Sequence, residues 1–598
     1  MAIAAVLPLL ALVVVSVPGA SAAANSVTIT RESDGIPHIR AANFKALGYG
    51  EAWAFSQDNF CTLAQDFVTV EGQRSKYFGP KNLSVNYSAG TQSTNLDSDL
   101  FWQSIKTSGI VSRALHAAPP NGPLPQVLQL YEGFVSGYDA YLASGNLHDP
   151  TCAKKPWVRP ITLTDMVLRG IQIDTEVTSA QFITDEADAN PPAASATSTQ
   201  SSFAGTADPA SLMADFGGEP DATSGSNAIG IGSEDTGDGD GMLLANPHFP
   251  WRGTERFWMV QLTVPGQYDM EGGTLEGFPL VGMGFNEHLA WSHTISSSFR
   301  FTLYQLALVP GHPTSYYVDG VPYKMGKQTV RVSTGHRTVT HTYYTTRWGR
   351  VLVVPQAGYK WTDSTAYVVD DSTLEEAFRG ANQYLRMGQA TSVTGLLTVE
   401  SQFLAIPTFN TVAADDTGHV LYGDVGNTPN VPQSLITSCM PAGAAQLVYS
   451  VARVITLDGS RSACSWQSDP GTPVPGIFDA DHMPHTIRTD YVENSNDSYW
   501  LANPNTPFPA YSPIIGDVDV VQNLRTRLGN QMIAARVTGT DGLGPPKFTL
   551  TTLQKMWESD QSMLAQLVLV PLVSACERTP TVDATNGTMV DLGPACTA

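Results

Sequence analysis

The spacing of apolar positions changes along the chain. From about residue 26, SVTITRE and IPHIR alternate apolar and polar residues with the period of two that predicts strands. Further on, LPQVLQLYEGFVSGYDAYLAS carries the helical repeat, with apolar residues recurring on one face. After residue 225 short alternating runs dominate, among them RFWMVQLTV, HRTVTHTYYTT and FNTVAADDTGHVLYGDV, and these predict strands. Helical spacing returns after about residue 517. No internal repeat is present.

Between these blocks, residues 189 to 225 read ANPPAASATSTQSSFAGTADPASLMADFGGEPDATSG. So few large apolar side chains cannot offset the entropy of ordering, and a mobile spacer is expected. On composition alone it reads as a linker between domains. The length of 598 residues by itself suggests three or four of them.

The spacer runs into SGSNAIGIGSEDTGDGDGMLLANPHFPW. Ile229 and Ile231 alternate with small residues, EDTGDGDG supplies turn chemistry, and MLLANPH is the returning strand. Counting back from a Gly232–Met242 pair places Ser226 opposite His248, where opposed Cβ atoms lie about 5 Å apart. On spacing alone, a serine facing a histidine in a hairpin is more often structural than catalytic. The acidic turn is not an EF-hand, since the position that needs a bidentate Glu is Asn246.

A serine hydroxyl needs a base, and the G-x-S-x-G elbow is absent. Breaking the Gly225–Ser226 bond would supply one, because a free α-amine with a reference pKa of about 7.7–8.0 is partly neutral near pH 7. Gly225 permits the sharp backbone such an attack requires. Self-cleavage accounts for the spacer, the glycine and the serine together.

Charge and cysteines narrow the setting. Lys plus Arg number 33 against 55 Asp plus Glu, a net charge of -22, and no basic stripe offers a nucleic-acid partner its counterions. Residues 1 to 22 hold an apolar run and an Ala-Ser-Ala cleavage pattern, the form of a secretory signal peptide, although no Lys or Arg precedes the run. No other segment is long and apolar enough to span a membrane. Export favours disulfides among the six cysteines, and the near pairs are Cys61 with Cys152, Cys439 with Cys464 and Cys576 with Cys596. His482 and His485, around Pro484, lack helical spacing and an evident third ligand, so no metal site is read there.

The motifs ITRESDGIPHIRA, DNFCTLAQDFVTVEGQRSKYFG, GSNAIGIGS…GMLLANPHFPW, GFPLVGMGFNEHLAWSHT and YVENSNDSYWLAN resemble the penicillin acylase family of N-terminal nucleophile hydrolases. The likeness is strongest to its exported long-chain branch of acyl-homoserine-lactone acylases, aculeacin A acylase and actinomycete penicillin V acylases. The resemblance implies an α+β fold, a four-layer αββα sandwich. It also implies a precursor divided into signal peptide (1 to 22), α chain (23 to 188), spacer propeptide (189 to 225) and β chain (226 to 598). Family β chains run longer, so a C-terminally truncated β chain is expected.

By the same resemblance Ser226 is nucleophile and base, with cleavage between Gly225 and Ser226, and His248 orients its amine and hydroxyl. The backbone N–H of Ile295 and the side chain of Asn496 (Asn494 as the alternative) donate to the oxyanion. Arg525, or else Arg527, orients that asparagine. Phe249 and Trp251 are the candidates for the acyl pocket. No cofactor is implied, and ISSSFR lacks the Asp that other members use for calcium, so none is expected there. The activity implied is hydrolysis of the acyl side chain of an acyl-homoserine lactone, lipopeptide or penicillin V by a secreted enzyme, periplasmic if the source has an outer membrane. A penicillin G-type β-lactam acylase and an unprocessed, inactive acyl-binding protein are the rival readings.

Overall fold

The computed structural model describes residues 26–84, 93–176, 178–192, 225–251, 255–376, 378–579, 581–583, 589–591 and 594. The expected signal peptide and residues 193–224 of the expected spacer lie outside the described residues. Ala189, which composition placed in the spacer, is buried against the core.

The strands predicted near the N-terminus are β1 (Val27–Arg31) and β2 (Pro37–Ala41). The expected hairpin is β3 (Gly225–Ile231) and β4 (Met242–His248). Next come β5 (Phe257–Val264), β6 (Tyr268–Leu275), β7 (Met283–Phe285) and β8 (Leu289–Ile295). A second sheet takes β9 (Phe301–Val309), β10 (His312–Val318), β11 (Val321–Lys324), β12 (Gly326–Ser333), β13 (Thr338–Thr346), β14 (Gly349–Leu352) and β15 (Thr365–Asp371). β16 (Phe409–Asp415) and β17 (Val420–Gly423) follow, then β18 (Thr456–Asp458), which joins the second sheet beside β9. β19 (His485–Arg488) and β20 (Tyr491–Asn494) complete the set that frames the site.

The first sheet runs β1-β2-β5-β6-β7-β8-β16-β17-β19, and a short third sheet runs β20-β3-β4. β2 pairs with β5 in parallel register, His38 opposite Gln261, so segments on either side of the spacer share one sheet. They also share a core in which Phe55, Leu63 and Phe101 join Val260, Leu262 and Trp291. The spacer therefore does not link two separate domains, as composition had suggested.

The long helix Phe44–Val70 begins where Asn43 accepts the Ala46 N–H (2.9 Å). It packs closely on the helix Pro125–Ala143 because glycines meet backbone there. A Cβ added at Gly48 or Gly133 would stand 2.1 Å from a carbonyl oxygen of the facing helix. Among the described residues, four α-helices interrupt the strand-rich block, Arg379–Met387, Val393–Phe403, Gln433–Cys439 and Ala444–Ala452, where alternating strands were expected to dominate. The first escapes an apolar reading because it buries Arg379, Asn382 and Gln383 as well as Leu385.

The hairpin register differs from expectation by one residue. Ile231, not Gly232, pairs with Met242, so Gly225 faces His248 and Ser226 faces Pro247. The Gly232 N–H is drawn out of the hairpin to the Asp490 carbonyl, and the Ser233 N–H to that of Gly418. The two strands thus close one residue earlier than counting from Gly232 required.

Disulfides join Cys61 to Cys152 and Cys439 to Cys464, as the sequence pairs suggested. Cys576 is disulfide-bonded too, and Cys596 lies outside the described residues. The first bridge closes a loop of 91 residues. Cys61→Ala with Cys152→Ala should therefore cost about 2–5 kcal/mol, read as a lower urea midpoint with a steeper slope, because the unfolded chain without its cross-link exposes more surface. Among the described residues no helix is long and apolar enough to cross a membrane.

Candidate active site

Ser226 is the second residue of β3, a strand held between β4 and β20, and it is 1% exposed. Its hydroxyl donates to the carbonyl of Gly225 (2.7 Å), the group next to the bond in question. Its N–H donates to Oδ1 of Asn496 (2.6 Å).

Asn496 follows β20 in a turn and has φ of 65°, a left-handed conformation that asparagine tolerates better than most residues. Its own N–H donates to Oδ1 of Asn494 (2.9 Å), which fixes that turn. Its Nδ2 donates to the Ile295 carbonyl (3.1 Å), while Oδ1 also accepts from Nη2 of Arg525 (2.9 Å). The two asparagines thus divide the work: Asn496 reaches Ser226 and Asn494 holds Asn496.

Ile295 ends β8 opposite Phe409 of β16. The Ser296 N–H donates to the Thr408 carbonyl (2.8 Å), so the 295/409 pair is the kind that exchanges no hydrogen bonds. Both the N–H and the C=O of Ile295 consequently point out of the β16 ladder, on the side where Asn496 donates.

Arg525 is the second residue of the helix Leu524–Thr538. The helix start is tied to the Asn496 turn, because the N-cap Asn523 donates its N–H to Asp497 (2.8 Å) and its Nδ2 to the Ser495 carbonyl (2.9 Å). From there Arg525 donates to the Ser226 carbonyl (2.8 Å) and to Oδ1 of Asn227 (2.5 Å). Arg527 is exposed, since two residues along a helix turn a side chain to the opposite face.

His248 is half-buried and lies against Gly225: a Cβ placed there would meet its Nδ1 at 3.5 Å, Asn496 Oδ1 at 3.2 Å and Arg525 Nη2 at 3.4 Å. Burial, and then the Arg525 charge, hold the His248 imidazolium below its ordinary pKa, so the ring is neutral near pH 7. Burial also lowers Arg525, opposed by Glu493 and Asp497, and pushes Glu493 up to about 8. The Phe249 ring packs on Phe257 (centroids 4.9 Å), whereas Trp251 is 91% exposed.

In ISSSFR, just after Ile295, the buried charge is the Arg300 guanidinium. It donates to Asp424 (3.0 Å) and to Thr428 and Ser298, and Asp424 also accepts from the Ser296 hydroxyl (2.6 Å). His482 meets Asp469 (2.9 Å) and Asp479 (2.8 Å), two carboxylates the sequence did not reveal, while His485 turns to the Met483 carbonyl. A cavity of about 490 Å³, where Arg350, Asp371, Glu376 and Arg379 line the walls together with Phe101 and Trp466, does not include Ser226. Asn227 and Thr294 fall inside motifs quoted from the sequence, and Asn410 and Tyr422 inside a strand-like run, but nothing in the sequence assigned them to the hydrogen-bond network they extend.

Residues 26–592 match the family described as penicillin amidase. The chain is 40% identical to aculeacin-A acylase of Actinoplanes utahensis over 95% of its own length and 71% of that protein's. It is 37% identical to the acyl-homoserine lactone acylase PvdQ of Pseudomonas fluorescens, over 95% of this chain and 69% of that one. A solved thermostable penicillin G acylase from Alcaligenes faecalis aligns with a TM-score of 0.43 and 19% identity, covering 62% of this chain and 58% of that chain. The chain belongs to the penicillin amidase family and is an amide hydrolase of the acylase type.

Proposed function

We propose that this chain is the precursor of a secreted acylase that cuts its own Gly225–Ser226 bond and then uses Ser226 against long-chain acyl amides. The observation that carries the reading is the convergence of Asn496, Arg525 and His248 around Gly225 and Ser226, with Asn496 on the N–H of the link itself and Arg525 on the Ser226 carbonyl just after it. In the first step the Ser226 oxygen attacks the Gly225 carbonyl carbon, and the C–N bond breaks as the nitrogen takes up a proton. Water hydrolyses the resulting ester, which leaves Gly225 with a carboxylate and Ser226 with a free α-amine.

That amine then serves as the base. It takes the hydroxyl proton as the Ser226 oxygen attacks the substrate carbonyl, and it returns the proton to the departing nitrogen. The oxyanion forms where the Ile295 N–H and the Asn496 amide can donate, and Arg525 keeps that amide oriented. The acyl ester is hydrolysed by water, whose proton goes to the same amine. Phe249 on Phe257 offers an apolar surface next to His248 for the acyl chain.

The proposal includes removal of a signal peptide over residues 1 to 22 and loss of the spacer before Ser226. The α chain and the β chain from Ser226 then stay together in a four-layer αββα arrangement. The relatives are named for aculeacin A and for acyl-homoserine lactones. An acyl-homoserine lactone, a lipopeptide and penicillin V are accordingly the substrates to compare, with penicillin G as the contrasting side chain.

Denaturing electrophoresis with N-terminal sequencing tests the reading: two fragments are expected, the larger beginning Ser-Asn-Ala-Ile. A single intact band with full amidase activity would remove Ser226 from the mechanism. The pH profile adds a separate check. An amine base works only when deprotonated, so kcat/KM should fall as pH drops through its pKa, for which the reference is about 7.7–8.0. His248, held neutral, should add no limb above pH 6.5. A flat profile from pH 5 to pH 9 contradicts the amine.

A further inference from the structure

The two oxyanion donors stand on different sheets: Ile295 ends β8 of the first sheet, and Asn496 follows β20 of the third. The gap between them is therefore a sheet-to-sheet distance, which neither ladder fixes. A buried set of side chains ties the two at this point. Oδ1 of Asn494 accepts from the Thr294 hydroxyl (2.6 Å), from the Asn496 N–H (2.9 Å) and from Nδ2 of Asn410 (3.3 Å). Nδ2 of Asn410 also reaches Thr294 Oγ1 (3.0 Å), and its Oδ1 accepts from the Tyr422 hydroxyl (2.9 Å). Nδ2 of Asn494 donates to the Asp497 carbonyl (3.0 Å), which closes the turn. Asn494, Asn410, Thr294 and Tyr422 are all 2% exposed or less.

We propose that Asn494, Thr294 and Asn410 are positioning residues that set the separation and direction of the two oxyanion donors. The proposal rests on the reading of Ser226 as nucleophile given above. None of the three touches Ser226 or the substrate. Thr294 is the residue before Ile295, and Asn494 is two before Asn496, so one acceptor oxygen controls the backbone on both sides of the oxyanion. A network that is satisfied at every member is rigid, and in a dry interior its loss cannot be repaired by water. Small displacements of such donors are costly, since a misplacement of about 1 Å can cost on the order of 100-fold in rate.

Thr294→Val keeps the shape and removes only the hydroxyl; Thr294→Ser keeps the hydroxyl; Asn410→Leu removes the second tie. Each is purified in its two-fragment form, and active sites are titrated. With a chromogenic acyl amide, Thr294→Val and Asn410→Leu should lose about tenfold or more in kcat with KM within twofold. Thr294→Ser should recover most of the loss. An alkylboronic acid, which forms a tetrahedral adduct on a serine hydroxyl, should weaken in parallel with kcat, while the affinity for the free fatty acid product stays constant.

A purely structural role would lower the melting temperature or the titrated active fraction and leave kcat per site and the boronate-to-fatty-acid ratio unchanged. That result overturns the proposal, as does Thr294→Ser behaving like Thr294→Val. Failure of the underlying reading looks different: the wild-type chain itself would remain uncut, or Ser226→Ala would retain activity.

Discussion

Ser226→Ala should leave the chain in one piece and reduce amide hydrolysis by at least about 10⁴-fold, because the substitution removes the attacking atom of both proposed reactions. The Ser226 hydroxyl already donates to the Gly225 carbonyl (2.7 Å), so the oxygen that must attack stands beside its target. Alanine keeps the backbone N–H that donates to Asn496 and fits a site where the serine is 1% exposed. The fold should therefore persist, with an unchanged circular dichroism spectrum and melting temperature within a few degrees. Mass spectrometry of the purified variant is the decisive readout, since residual cutting at that junction would require another nucleophile.

Asn496→Ala should lower kcat by about 10²–10³-fold, equivalent to about 3–4 kcal/mol, with little change in KM. It deletes the proposed oxyanion donor, and it also leaves the Ser226 N–H and Arg525 Nη2 without their shared acceptor. Cutting of the precursor should slow as well, because the same amide faces the peptide link. Kinetics on the fraction that does mature separate the two effects. A normal kcat in that fraction would transfer the donor role away from Asn496.

The strands were legible wherever one face is apolar and the other polar. RFWMVQLTV became β5 for that reason, whereas β16 and β17, from FNTVAADDTGHVLYGDV, are buried along almost their whole length on both faces. The helix Arg379–Met387 was not legible, since it faces a polar interior in which Arg379 donates to the carbonyls of Phe403 and Leu404 (3.0 and 2.9 Å). Within the site, residue types were readable and geometry was not. Asn494 and Asn496 differ by a left-handed φ, and Arg525 and Arg527 by the phase of a helix, neither of which composition encodes. The register of β3 on β4 depended on Asp490 and Gly418, residues far beyond the turn in sequence. Thr294, Asn410 and Tyr422 come together only through the pairing of distant strands.

If the Gly225–Ser226 bond is cut as proposed, the parallel pairing of β2 with β5 has a thermodynamic outcome for the two-fragment protein. Before scission the two partners belong to one polymer, and closing the loop between them is an intramolecular event with a modest entropy cost. After scission the same contact holds two molecules together, and unfolding releases them into bulk solution. Refolding then becomes second order in protein, so dilution alone can prevent it. The matured enzyme should accordingly owe its lifetime to slow opening rather than to reversible equilibrium, and recovery from denaturant should belong to the uncut Ser226→Ala chain.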